Sequence, residues 1–248
     1  MKFSILTAVW NRAETLPDAL QSLDAQSYRN FEHVVQDGGS SDGTLELLKG
    51  RNDPQMRLVS EADRGIYDAL NRATARATGD VIGLLHSDDF FAHGEVLARV
   101  AKVFQETDAD AVYGDLDYVS GQDSSKVVRH WVSGPFSLGK LKRGWMPPHP
   151  SLFIKRDVIT RYGAYDDSFQ ISADYDSILR YFGRGRISAA YLPEVLTKMR
   201  LGGASNGSVV RIIRKSKEDY RAVRRNGVGG ASTLIMKNAR KLPQFLKN

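Results

Sequence analysis

Short apolar runs alternate with amphipathic stretches along the first half of the chain. Phe3-Ser4-Ile5-Leu6-Thr7-Ala8-Val9, Phe31-Glu32-His33-Val34-Val35, Arg57-Leu58-Val59-Ser60 and Val81-Ile82-Gly83-Leu84-Leu85 are strand-length and bounded by turn residues, the pattern of buried strands. Between them, residues 15 to 23 place Leu16, Leu20 and Leu23 on one helical stripe, and helices are expected from about Thr44 and over residues 66 to 77. This alternation predicts an α/β fold, with a mainly parallel, Rossmann-like sheet flanked by helices. Ala111-Val112-Tyr113 extends the strand set.

After Gly121 the pattern changes. Val127-Val128-Arg129-His130-Trp131 reads as a strand, and residues 134 to 150 are rich in Gly and Pro with aromatic side chains, including Phe136 and Trp145. Long loops in compact domains tend to be functional, so acceptor recognition is expected there. A helix over residues 173 to 182 and a strand over 187 to 191 follow. The chain then divides into a main domain, 1–208, and a helical C-terminal extension, 209–248. In the extension Val210, Ile213, Lys217, Tyr220 and Val223 fall near one helical face, and a second apolar set comprises Leu234, Ile235, Leu242, Phe245 and Leu246.

Charge sharpens that division. The extension carries eleven Lys or Arg against Glu218 and Asp219, so it holds +9 of a chain whose net charge is +6, leaving −3 for the rest. A basic amphipathic helix suits an anionic membrane surface, and a helical pair packed on the main domain suits the same pattern. No nucleic-acid motif accompanies the charge, so no nucleic-acid partner is expected. With 42% hydrophobic and 26% charged residues, no bilayer-length apolar run and no leader pattern, a soluble cytoplasmic protein is expected, peripheral on the inner membrane face if the tail binds lipid. The absence of Cys excludes disulfides, thiolate metal sites and cysteine nucleophiles.

Candidate chemistry centres on Leu84-Leu85-His86-Ser87-Asp88-Asp89, where two carboxylates follow a buried strand. Open α/β sheets bind ligands at that end of their strands, and hard oxygen donors suit Mg²⁺ or Mn²⁺. Helix capping explains the same residues without a metal. Asp37-Gly38-Gly39-Ser40-Ser41-Asp42-Gly43 joins a strand to a helix, where glycines and exposed N–H groups favour an anionic ligand. Its core also satisfies the G-x-S-x-G nucleophile elbow, which would require His149 as the triad histidine, and an Asx-type turn is a third reading. Asp174 and Asp176 cannot share a helical face, so one faces a cleft and the other caps or packs. Asp68 and Asn71 do share a face. His149, among Pro147, Pro148 and Pro150, fits a loop or core histidine as well as a functional one.

Taken together, these residues resemble the inverting family 2 glycosyltransferases, nucleotide-sugar enzymes of the GT-A fold. The resemblance covers roughly residues 2 to 205. Thr7-Ala8-Val9-Trp10-Asn11-Arg12 is similar to the opening strand and T-x-x-N-R turn, and Asp37 to Thr44 to the D-G-S-T-D-G-T segment. Gly65-Ile66-Tyr67-Asp68-Ala69-Leu70-Asn71, Ala77-Thr78-Gly79-Asp80 and Ser87-Asp88-Asp89 resemble the next blocks in order. His149-Pro150-Ser151, Ala173-Asp174-Tyr175-Asp176 and Leu201-Gly202-Gly203-Ala204-Ser205 resemble the last three. The chain departs from the pattern at His86, the first Asp of a fuller D-x-D-D, at Ala173, usually acidic, and at Leu70, usually Arg.

The resemblance implies a nucleotide-sugar donor, with UDP-sugars favoured, and a glycan or lipid-linked acceptor, in bacterial surface polysaccharide or lipopolysaccharide synthesis. It assigns Thr7, Ala8, Asn11, Asp37 and Asp68 to the donor nucleotide pocket, Asp88 to ribose or phosphate, Asp89 to a Mn²⁺ or Mg²⁺ ion and Asp174 to the catalytic base. His149, Trp145 and Asp176 are expected at the acceptor or diphosphate. Two other classes stay open: a non-catalytic nucleotide-sugar or glycan-binding protein, which has no use for Asp174, and a sugar nucleotidyltransferase, which should carry a Gly-rich loop where residues 6 to 12 have none.

Overall fold

A computed structural model of the chain describes residues 1–201 and 209–239. Its first half alternates β1 (Phe3–Val9), α1 (Leu16–Asp24), β2 (Phe31–Asp37), α2 (Thr44–Lys49), β3 (Met56–Ser60), α3 (Ile66–Arg76) and β4 (Val81–Leu84). Every residue of β1, β2 and β4 is buried, as strands covered on both faces must be. β1 pairs in parallel with β2 and β4, and β2 with β3. The loops that leave β1, β2 and β4 therefore emerge side by side at one carboxyl-terminal edge.

The second half comprises β5 (Asp89–Phe91), α4 (Val96–Thr107), β6 (Ala111–Val119), β7 (Val127–Trp131), α5 (Leu138–Lys142), β8 (Leu152–Lys155), α6 (Arg156–Tyr162), α7 (Ala173–Ile178) and β9 (Ala189–Arg200). β8 enters antiparallel between β4 and β6, while β6 pairs in parallel with β9 and antiparallel with β7. The result is one nine-stranded α/β sheet ordered β3-β2-β1-β4-β8-β6-β9-β5, with β7 beside β6; its parallel block is β3-β2-β1-β4 and the remainder is mixed. β4 and β8 pack closely because residue 83 is glycine, where a Cβ would lie 2.6 Å from the Phe153 ring.

Helices cover both faces. On one, α3 buries Ala69, Leu70 and Ala73 against Leu6, Val34, Ile82 and Leu84. On the other, α4 buries Val96, Leu97, Val100 and Phe104 against Phe3, Ile5 and Phe153. Truncating a fully buried side chain such as Leu70 to Ala costs about 2–5 kcal/mol.

The sequence did not announce α5, β8 or α6, and the helix expected through residue 182 is α-helical only to Ile178, continuing as a π-helical turn, Leu179–Arg184. The C-terminal segment forms α8 (Val209–Arg225) and α9 (Ala231–Ala239). Ala222 and Val223 join the core around Tyr175 and Phe182, whereas Val210, Ile212, Ile213 and Tyr220 are exposed. Gly202 to Ser205, Leu242, Phe245 and Leu246 lie outside the described residues. Among the described residues no helix is long and apolar enough to cross a membrane.

Candidate active site

The loops after β1 and β2 are stitched together at the sheet edge. The Asn11 N–H donates to Ser40 Oγ at 2.8 Å, and Asn11 Oδ1 accepts from the Ser41 N–H at 2.9 Å. Arg12 N–H donates to Thr44 Oγ1, and Asp42 accepts from the N–H groups of Ala13 and Thr44. The turn into α2 requires Gly43, whose φ of 98° disfavours an L side chain. Asp37 is 0% exposed, and its carboxylate accepts from the N–H groups of Gly39 and Ser40 and the hydroxyls of Ser40 and Ser60. Its visible work is to shape this loop.

Thr7 also faces inward. Its hydroxyl donates to the Leu85 carbonyl at 2.7 Å and lies 2.9 Å from His33 Nε2, so the residue joins β1 to the strand pair around it. At the same sheet edge Trp10 is 62% exposed, and its Cβ lies 3.5 Å from where a Cβ on Gly38 would be. An aromatic residue immediately after a buried strand, among polar loop residues, is the sequence signal that accompanies it. Asp68, on α3, accepts from the Arg64 N–H at 3.0 Å and pairs with the Arg64 and Arg72 guanidiniums at 3.2 and 2.8 Å. These partners hold its carboxyl down to about 2.

At the end of β4 the chain turns through His86, Ser87 and Asp88 into β5. The turn is fixed by the Asp89 N–H donating to the His86 carbonyl, and by Thr15 Oγ1 and Arg200 donating to the carbonyls of Ser87 and Asp88. Asp89 is 2% exposed. Burial, then the adjacent Asp88 charge, push its carboxyl well above the ordinary carboxylate range, against the opposing pull of the Arg200 N–H and guanidinium. Two hard carboxylates crowded together in this way suit a divalent cation. Among the described residues no three His, Asp or Glu side chains form a ready cage, so phosphate and water oxygens would have to complete the shell.

Across from this turn, Asp174 sits in the first turn of α7 and is partly exposed. The one proton of the Tyr67 hydroxyl is shared between the Ile171 carbonyl at 2.6 Å and Asp174 Oδ1 at 3.2 Å. Burial, then the Asp174 charge, raise the Tyr67 phenol above its ordinary value, so it remains a donor. His86 feels the charges of both Asp88 and Asp174, although burial dominates and lowers its pKa. His149 lies beside it, ring centroids 6.2 Å apart, with Nε2 2.8 Å from the Tyr165 hydroxyl. Burial holds the His149 imidazole down to about 4, against the pull of Asp174.

Two expected site residues belong to the core instead. Trp145 is buried, its Nε1–H donating to the Ser133 carbonyl and its ring packed on Tyr113, Phe136 and Phe182. Asp176 is 0% exposed, bonded to Arg180 at 3.2 Å and to the Asn226 amide at 2.9 Å. It is thus the member of the Asp174/Asp176 pair that packs. In the nucleophile-elbow match, the Ser41 backbone N–H bonds Asn11 Oδ1, and the His149 Nε2 that a triad would need faces the Tyr165 hydroxyl.

Residues 4–165 match the family model for glycosyl transferase family 2. An uncharacterized glycosyltransferase of Mycobacterium tuberculosis is 35% identical over 181 residues, covering 71% of this chain and 67% of that protein. A PGL/p-HBAD biosynthesis glycosyltransferase of Mycobacterium bovis is 32% identical over 209 residues, covering 82% and 79%. Among solved structures, S. aureus TarS 1-349 in complex with UDP-GlcNAc superposes with a TM-score of 0.71 at 18% identity, over 92% of this chain and 66% of that one. The mannosyltransferase PcManGT from Pyrobaculum calidifontis, in complex with GDP-Man and Mn²⁺, gives 0.66 at 20% identity, over 90% and 63%. This chain therefore spans about two thirds of these structural neighbours, which share its GT-A fold. The matched family model, covering well over half of the residues, and the two mycobacterial relatives agree with the order of loops at the sheet edge: the chain belongs to glycosyl transferase family 2.

Proposed function

We propose that this protein is an inverting, metal-dependent glycosyltransferase that moves a sugar from a nucleotide-sugar donor, UDP-sugars favoured, onto a hydroxyl of a glycan or lipid-linked acceptor in bacterial surface polysaccharide synthesis. The observation that carries the reading is that the charges of both Asp88 and Asp174 act on the buried His86, which brings the two carboxylates into one neighbourhood. A carboxylate pair suited to a cation and a separate, partly exposed carboxylate thus lie near the same histidine. A binding protein would need the first but not the second.

In the proposed reaction Asp174 takes the proton of the acceptor hydroxyl as that oxygen bonds to the anomeric carbon. The bond from this carbon to the diphosphate oxygen breaks on the opposite face, and the nucleoside diphosphate leaves with the electron pair, inverting the configuration. General-base assistance of this kind contributes roughly 10²- to 10⁴-fold. Asp89, with Asp88 beside it, would hold the Mg²⁺ or Mn²⁺, which supplies Lewis-acid stabilisation of the leaving diphosphate. Trp10 offers a face for the base, Ala8 near the end of β1, Asn11 in the loop after it and Asp37 at the end of β2 frame the nucleotide, and His149 lines the acceptor or diphosphate side. The exposed Val210, Ile212 and Ile213, interleaved with Arg211 and Lys217, are the proposed contact with an anionic membrane.

The direct test is thermal stabilisation of the full chain by UDP-, GDP- and dTDP-sugars with and without Mn²⁺. Stabilisation by one nucleotide class that depends on the metal supports the proposal. No response from a folded sample to any donor contradicts it.

A further inference from the structure

The polar residues of α8 do not all face solvent. Arg214, Glu218, Arg221 and Arg225 recur at helical spacings of four, three and four, and so form one stripe. All four are engaged with residues 166 to 170 or with the two that follow. Arg225 pairs with Asp166, Arg221 donates to the Ser168 carbonyl at 3.1 Å and stacks on Phe169 at 3.7 Å, and Arg214 bonds the Gln170 side chain. Glu218 goes further. Its carboxylate accepts from three successive backbone N–H groups, Gln170 at 3.1 Å, Ile171 at 2.8 Å and Ser172 at 3.0 Å.

Those three residues lead directly into Asp174, and the Ile171 carbonyl anchors the same Tyr67 hydroxyl that donates to Asp174. On the next position of the helix, Asp219 pairs with the buried Lys237 of α9 at 2.8 Å, and the Lys237 ammonium lies 3.2 Å from the centre of the Tyr175 ring. The C-terminal helices thus grip the residues on either side of Asp174. We infer that α8 is a splint for the catalytic segment and that Glu218 is a positioning residue, fixing the 170–172 backbone so that Asp174 meets the acceptor hydroxyl in line. The inference rests on the assignment of Asp174 as the base.

The test compares Glu218→Ala and Glu218→Gln with the full wild-type chain, by amide hydrogen exchange and by steady-state kinetics. In Glu218→Ala the amides of residues 170 to 172 should exchange faster while those of β1 and β4 do not change. Transfer should lose about 10- to 100-fold in kcat, the scale of a misplaced reacting group, with donor KM within twofold of wild type. Glu218→Gln, which keeps one acceptor oxygen, should fall between and preserves the result if the alanine variant does not fold. Unchanged exchange at residues 170 to 172, or kcat unchanged in a variant whose segment has loosened, overturns the inference, as does an equal loss of donor binding and kcat. Absence of turnover in the wild type would instead contradict the glycosyl-transfer reading, leaving the exchange data to judge the splint.

Discussion

Tyr67 and Asp174 lie 107 positions apart in sequence and are joined by a hydrogen bond of 3.2 Å from the phenol to Oδ1. The donor comes from α3, packed on the parallel half of the sheet, and the acceptor from α7, packed on the mixed half. The bond spans the two halves and orients the carboxylate proposed as the base. Tyr67→Phe removes the hydroxyl and keeps the ring. Transfer should fall about tenfold in kcat, the cost of roughly one hydrogen bond to a charged group, with donor affinity unchanged. Steady-state kinetics of the variant checks this, and unaltered kcat would remove Tyr67 from the account.

Asp89→Ala removes a buried carboxylate from beside Asp88. Donor-induced stabilisation should lose its dependence on Mn²⁺, while stability of the free protein should hold or rise, because the carboxyl is raised by burial and by its charged neighbour. Thermal shift with and without donor and metal distinguishes the outcomes. Metal-dependent stabilisation equal to wild type would place the cation elsewhere.

Trp10 is exposed, so Trp10→Ala should leave the melting temperature nearly unchanged. If its ring carries the base, donor binding should weaken by about 1–3 kcal/mol, the usual range for base–aromatic stacking. Titration calorimetry with a nucleoside diphosphate reads this directly, and full-strength binding would leave Trp10 without a ligand role.

Much of the architecture was legible because burial on both faces concentrates apolar residues in short runs, as in β1 and β4, and Val127–Trp131 forms a strand over the expected residues. β8 was not legible: its four residues follow a Gly- and Pro-rich stretch, and only the gap between β4 and β6 makes them a strand. The site divides in the same way. Asp88, Asp89, Asp174 and His149 are proposed from residue type and order, and the fold brings the charges of Asp88 and Asp174 to bear on one histidine, His86. The partners of a polar side chain are set by the tertiary fold, so no local signal separates Asp174 from Asp176, which Arg180 and Asn226 enclose, or reveals that Thr7 bonds Leu85. The basic tail shows the same limit, since Arg214, Arg221 and Arg225 face the 166–170 loop and only part of the charge remains for a membrane.

That remainder is testable without removing α8, which truncation near residue 208 would do. Ile212→Ser with Ile213→Ser changes exposed positions only. The double variant should keep its fold and donor response but float less with anionic liposomes than the parent chain. Equal flotation would exclude this face.

Stability should depend on pH through its buried imidazoles. Burial holds His33 and His149 down to about 4, below the ordinary value near 6.5, and each therefore stays neutral in the folded protein while the unfolded chain takes up a proton. The stability these residues contribute is complete above about pH 6.5 and declines as the pH falls from there toward 4. Denaturant melts at pH 7.5 and pH 5, made in the Asp89→Ala background because the raised carboxyl of Asp89 acts in the opposite sense, should show a lower midpoint at pH 5. A midpoint that does not fall would mean that these histidines titrate normally.

The most direct test of the central claim sets wild type beside Asp174→Asn with the donor that stabilises the protein best, following nucleoside diphosphate release in the presence of Mn²⁺ and an acceptor alcohol. The account predicts that both proteins bind the donor with similar affinity and that the variant releases product at least about 100-fold more slowly. Release at the wild-type rate by Asp174→Asn, or loss of donor binding in the folded variant, would contradict the assignment of Asp174 as the base.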